Sequence, residues 1–175
     1  MVHTDWGGLQ PSQFLVENME LLPGGRVLDV AMGNGENAVY LAKMGFDVAG
    51  VDISLDAVNN ALQLSHRMGV TIKADVADLE GGYSIEKDVY DVIICFRYLQ
   101  RSLIPHIKAV LLNGGMVVYE TFLVDQAQWG RPKNPDYLLQ HNELLEMFRD
   151  FRCLRYREEI IEGRLALASI VAEKI

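Results

Sequence analysis

Along the chain, short and mostly apolar runs recur, and longer stretches with apolar residues at helical spacing lie between them. After a helical stretch from about Ser12 to Leu22, the residues Leu22–Gly25 punctuate the chain, and Arg26–Val30 reads as a buried strand. A glycine-rich turn, "AMGNGEN", leads into a helix through "AVYLAKM", with Asn37 as its expected cap and Gly45 as its stop. A second strand ends at Asp52. Ser54 then caps a helix that carries Asp56 in its first turn, where the helix dipole favours an acid. Val58, Ala61, Leu62 and Met68 are expected on its packed side, and Gly69 marks its end. Val70–Asp75, Tyr90–Phe96 and Gly114–Phe122 read as three further strands, with a helix containing Pro105 and "IKAVLL" before the last. A helix over Asn142–Asp150 precedes two strands, "FRCLRYREEI" and "RLALASIVAEKI", joined around Gly163.

Strands alternating with helices predict a parallel sheet with right-handed crossovers and helices on both faces. Two strands joined by a tight turn must pair antiparallel. The expected fold is therefore α/β: a Rossmann-like, mostly parallel seven-stranded sheet closed by a C-terminal antiparallel hairpin. A length of 175 residues suits one domain. Residues 1–24 form its N-terminal helical segment, 25–122 its ligand-binding half, and 123–175 a loop, helix and hairpin.

Composition narrows the partners. Half of the residues are apolar, enough for an ordinary core. Sixteen basic and 24 acidic residues give a formal charge of −8, which repels phosphate backbones and argues against a nucleic-acid partner. Cys95 and Cys153 form no framework, and the four histidines, His3, His66, His106 and His141, lack metal-ligand spacing. With no signal peptide and no apolar run long enough for a bilayer, the expectation is a soluble, cytoplasmic protein without a membrane partner.

The chemistry concentrates after the first strand. Gly33 and Gly35 permit a tight bend that brings backbone close to a ligand, and the next helix opens with free N–H groups that favour an anion. Asp52, 17 residues beyond Gly35, suits a carboxylate accepting two ribose hydroxyls; its other role would be to cap a helix. Ile53 is placed to pack on an adenine face. Asp29 lies inside the first strand, and a buried carboxylate needs a partner such as the ammonium group of a methionine moiety. Asp75 ends the third strand, where it would accept from an adenine amino group while the Val76 N–H addresses a ring nitrogen; a simple turn cap is its alternative.

"VLDVAMGNGENAVYLA", "GVDIS", "KADVADL", "YDVIICF" and "LNGGMVVYETF" resemble the successive motifs of class I S-adenosylmethionine-dependent methyltransferases, in order from Arg26 to Phe122. The "GNGENA" turn and the short length are most similar to the small tellurite-resistance type. The resemblance implies that S-adenosylmethionine is the cofactor, leaving as S-adenosylhomocysteine. It implies that Ala31, Gly33 and Gly35 line the methionine and ribose, and that Phe96 and Arg97 lie beside the methionine tail. It also implies that the terminal hairpin supplies a reversed strand at the sheet edge. Ala31 stands where the family often has glycine.

The expected acceptor is a small molecule: a thiol, a chalcogen oxyanion or a small acid. Ligands of open α/β sheets bind at the carboxyl ends of strands, so Arg97, Tyr98 and Arg101, then Glu120 and Thr121, are the substrate-side candidates. The loop "QWGRPKNP" adds Trp129, Arg131, Lys133 and Asn134 as part of a lid. Arginines would hold an anion, or else be solvated surface charge, and Glu120 is the candidate base. The N-terminal "HTDW" is either a flap over the cofactor or a frayed end. Two other readings share these residues. Gly33, Gly35 and Ala38 satisfy G-x-G-x-x-A of an NAD(P)-binding oxidoreductase, and a non-catalytic S-adenosylmethionine-binding protein would carry the same site.

Overall fold

A computed structural model describes residues 6–85 and 89–175. His3 and most of the expected N-terminal flap lie outside the described residues. The chain forms two compact units that divide after Ser84.

The first unit holds α1 (Gln13–Glu17), β1 (Arg26–Val30), α2 (Glu36–Lys43), β2 (Asp47–Asp52), α3 (Leu55–Arg67) and β3 (Lys73–Val76). All three strands are parallel, in the spatial order β3-β2-β1. Val27, Leu28 and Val30 are fully buried, as a strand covered on both faces requires. Pairing of Val30 with Val51, and of Asp52 with Val76, aligns the carboxyl ends of these strands. The Ser54 hydroxyl accepts from the Ala57 amide and caps α3.

Two local expectations fail here. The packed face of α3 is Val58, Ala61, Leu64 and Ser65, while Leu62 is 39% exposed. Met68 lies just past the helix as its C-cap, so the packed stripe is completed by Leu64 and Ser65. Asn37 does not cap α2: the N-cap position is Gly35, and the Asn37 side-chain oxygen accepts from the Ser12 amide instead. Beside it Glu36 accepts from the Gln10 amide, so this first turn holds the N-terminal segment down.

The second unit holds β4 (Tyr90–Phe96), α4 (Ile104–Val110), β5 (Leu111–Phe122), α5 (Glu143–Met147), β6 (Arg152–Ile161) and β7 (Leu165–Glu173). β4 and β5 are parallel; β7 runs antiparallel to both β5 and β6. The seven strands are mixed and mostly parallel, in the order β3-β2-β1 in the first unit and β4-β5-β7-β6 in this one. The reversed strand is thus β7, one place in from the edge, and β6 is the edge strand. Burial follows: β7 is almost wholly buried from Ala166 to Ala172, whereas Ile160 on β6 is 54% exposed. Lys174 ties the end of β7 to the α4–β5 junction by donating to the Leu111 carbonyl and to the Lys108 carbonyl, an acceptor that the helix end leaves open. No helix among the described residues is long and apolar enough to cross a membrane.

Candidate cofactor and substrate sites

In the first unit, the turn after β1 is pinned by a side chain from the end of β2. Asp52 accepts from the Gly33 amide through Oδ2 at 2.8 Å and from the Ser54 amide through Oδ1 at 2.9 Å. Each oxygen keeps a second lone-pair direction, so the carboxylate holds the turn and still accepts hydroxyls. Gly33 has φ +56°, and a Cβ placed there would meet open space. Its bare backbone therefore borders an empty volume that a ligand can fill. Gly35 is required for a different reason. At φ +81° a Cβ would sit 2.6 Å from the Ala61 Cβ, so the glycine lets α3 approach the turn.

Ala31 has φ +56°, the left-handed conformation that glycine would take without cost. The alanine departs from the family pattern in composition while keeping the turn that a glycine would adopt.

Asp29 lies on β1 and is buried, with Oδ2 lacking any hydrogen-bond partner among the described residues. Burial, reinforced by the nearby Asp52 charge, pushes its carboxyl well above the usual carboxylate range. An orphaned buried carboxyl is costly in isolation, and a cationic or hydrogen-bond-donating group would satisfy it. Around the ends of β2 and β3, Ile53 is 68% and Val76 50% exposed. Asp75 beside Val76 is exposed too. The unit therefore presents an unpartnered acid, a hydroxyl acceptor, a bare glycine turn and two bare apolar side chains.

In the second unit, Arg97 follows β4 at φ +59°, a conformation non-glycine residues seldom adopt and one enriched where function fixes the backbone. Its amide donates to the Glu120 carbonyl at 2.8 Å. Its guanidinium lies 3.7 Å from Glu120 Oε1 and 5.0 Å from the centre of the Phe122 ring. Burial lowers the Arg97 pKa and the Glu120 charge opposes that shift. Glu120 is 3% exposed, and its other oxygen accepts from the Ser169 hydroxyl at 2.7 Å. Phe96 is half-buried at the end of β4, paired with Glu120 across the strands.

A cavity of about 420 Å³ opens beside this cluster. Arg97, Leu99, Phe122, Arg131, Pro132 and Tyr137 line it, with Tyr98 and Thr121 at its wall. Tyr98 is oriented by the hydrogen bond from its hydroxyl to Gln100 Oε1 at 2.7 Å. The loop carrying Arg131 is anchored by buried Gln126, whose amide donates to the Arg131 and Arg164 carbonyls and accepts from the Ala166 amide.

The other basic candidates are placed elsewhere. Arg101 is neither an anion holder nor loose surface charge. It forms a forked pair with Glu143, at 2.6 and 3.1 Å, and donates to the Asp136 and Leu138 carbonyls. Trp129, Lys133 and Asn134 do not line the cavity, and Asn134 instead caps the turn at Pro135–Tyr137. Leu99, Tyr137 and Gln126 were not singled out in the sequence. For Tyr137, an aromatic residue in a proline-bracketed polar loop was the available signal.

The fold is that of class I S-adenosylmethionine-dependent methyltransferases. Residues 11–168 match the model of the tellurite resistance protein TehB family, and the chain belongs to that family. Among solved structures, TehB from Haemophilus influenzae superposes with a TM-score of 0.79 at 21% identity, covering 92% of this chain and 61% of that one. A SAM-dependent methyltransferase from Methanosarcina mazei gives 0.74 at 16% identity, covering 95% and 99%. Among curated relatives, Hemagglutinin 1 of Eikenella corrodens is 28% identical over 142 residues, or 77% of this chain and 46% of that protein. A ubiquinone biosynthesis O-methyltransferase of Burkholderia thailandensis is 28% identical over 105 residues, or 57% and 45%. The chain thus spans a little under half the length of these two relatives.

Proposed function

We propose that the chain is a methyltransferase that binds S-adenosylmethionine on its first unit and a small acceptor on its second. The observation that carries this reading is the orphaned Oδ2 of buried Asp29, on the strand that leads into the Gly33 turn. When bound, the cofactor supplies a methyl group on a positively charged sulfur, already activated for transfer. The protein's residues then bind and orient. Asp29 holds the ammonium, Asp52 accepts the ribose hydroxyls, Ile53 and Val76 flank the adenine, and Asp75 accepts its amino group. Ala31, Gly33 and Gly35 keep backbone close to the ligand. Alignment of this kind is worth several kcal/mol, on the order of 7–11 at its best.

Glu120 is held from both sides, by Ser169 and by Arg97, which favours a role in positioning Arg97 over one as a mobile base. Arg97, Tyr98 and Arg131 are the acceptor-side residues. Thiols and small acids that are already ionised need no base at all. The acidic charge of −8 fits a small-molecule substrate in the cytoplasm better than a nucleic acid.

Calorimetry with S-adenosylhomocysteine and with NAD tests the reading. Micromolar binding of the first and none of the second is expected; binding of NAD alone would establish a dinucleotide site instead.

A further inference from the structure

Two arginines line the second unit's cavity, yet they do not contribute two free charges. Arg97 is paired with Glu120, which is itself almost fully buried. Arg131 forms no ion pair among the described residues, and Gln126 fixes its backbone at the cavity wall. The cavity therefore presents one uncompensated positive charge. Its remaining walls are mostly apolar or aromatic: Leu99, Phe122, Pro132 and the rings of Tyr98 and Tyr137, with Thr121 the one small polar residue.

Size gives a second constraint. At about 420 Å³ the cavity falls in the range of small-molecule sites. A chalcogen oxyanion of four heavy atoms occupies roughly the volume of two waters, ~60 Å³, and would leave most of that apolar wall wet. A dianion would also carry one charge more than Arg131 offsets, and an uncompensated charge beside apolar wall is costly. An acid with a ring or branched alkyl body covers the wall and matches the charge.

Resting on the reading of this unit as the acceptor side, we propose that the cavity selects a monoanionic carboxylic acid with an aromatic or branched aliphatic body. The carboxylate pairs with Arg131, and the body lies against Leu99, Phe122 and Pro132. Arg97, already neutralised and stacked on Phe122, shapes the wall and carries no part of the anion's charge.

Calorimetry on the full chain tests this with benzoate, its neutral isostere benzamide, and sulfate as the dianion, each with and without S-adenosylhomocysteine. Benzoate is expected to bind roughly tenfold or more tightly than benzamide, with sulfate failing to displace it. Arg131→Gln should abolish that preference and Arg131→Lys should keep part of it, with melting temperatures unchanged because, among the described residues, the Arg131 side chain makes no hydrogen bond or ion pair. Equal binding of benzoate and benzamide, displacement by sulfate, or an unaltered preference in Arg131→Gln would overturn the proposal. If S-adenosylhomocysteine fails to bind while benzoate binds as expected, the cofactor reading falls and the cavity's selectivity stands. If the reverse holds, only the selectivity falls.

Discussion

The Gly33 amide donates to Asp52 across 19 residues of sequence, so the acid at the end of β2 builds the turn at the end of β1. One carboxylate thereby serves both the fold and the proposed ribose contact.

Asp52→Ala removes both services. Cofactor affinity should fall by roughly 1–3 kcal/mol through loss of a charged acceptor, and the turn should loosen. Calorimetry, with circular dichroism to confirm folding, measures this. An unchanged dissociation constant in a folded variant would count against the ribose assignment.

Gly35→Ala should destabilise the protein by about 1–3 kcal/mol, since it combines a left-handed backbone with a clash against Ala61. Adding Ala61→Gly should recover the steric part and leave the conformational part. Denaturant unfolding of the single and double variants separates the two. Full recovery would show that the backbone conformation costs nothing here.

Ala31→Gly inverts the usual expectation for glycine. The left-handed φ of Ala31 costs about 1 kcal/mol, which glycine relieves, partly offset by the freer unfolded chain. Stability should stay level or rise by less than about 1 kcal/mol. A clear loss in thermal unfolding would mean that the Ala31 methyl group packs more productively than its backbone suggests.

Arg101→Ala should release the loop that follows β5, because one guanidinium holds Glu143 and two carbonyls at once. The pair is partly exposed, so the loss should be near 1 kcal/mol. The Arg101 hydrogen bond holds the Glu143 pKa below its ordinary value. An acid with a depressed folded pKa stabilises above its unfolded pKa, and this contribution disappears as pH falls through the folded one. The wild type and variant should thus converge in stability only at acid pH. Convergence at neutral pH would contradict the pairing.

Much of this was readable in the sequence. Buried strands announced themselves as apolar runs, and Ser54 and Gly69 marked the limits of α3, because these signals are local. Asp29 stood out since an acid inside such a run has no local explanation. Long-range partners were not readable. Nothing near Arg101 indicates that Glu143, 42 residues on, takes its charge, and nothing near Glu120 indicates Ser169, 49 residues on. Asn37 looked like a cap because capping chemistry is local, yet the left-handed Gly35 occupies that position and leaves Asn37 to bind the chain before α1. The position of β7 between β5 and β6 is likewise a matter of pairing, which a hairpin pattern leaves open.

The Asp29 carboxyl gives the sharpest test. Its folded pKa lies well above the unfolded value, so between the two the folded protein keeps a proton there that the unfolded chain has lost. Stability from this group is therefore present at low pH and lost as pH rises from the unfolded pKa through the folded one. Asp29→Asn should flatten that slope. A cofactor ammonium selects the ionised carboxylate, so binding must expel the proton within the same window. Titrating S-adenosylhomocysteine calorimetrically in buffers of different ionisation heat counts the protons released. The wild type should release a proton that Asp29→Asn does not, and bind more tightly than the variant. Equal affinity and equal proton release in the two proteins would contradict the pairing of Asp29 with the ligand's amine.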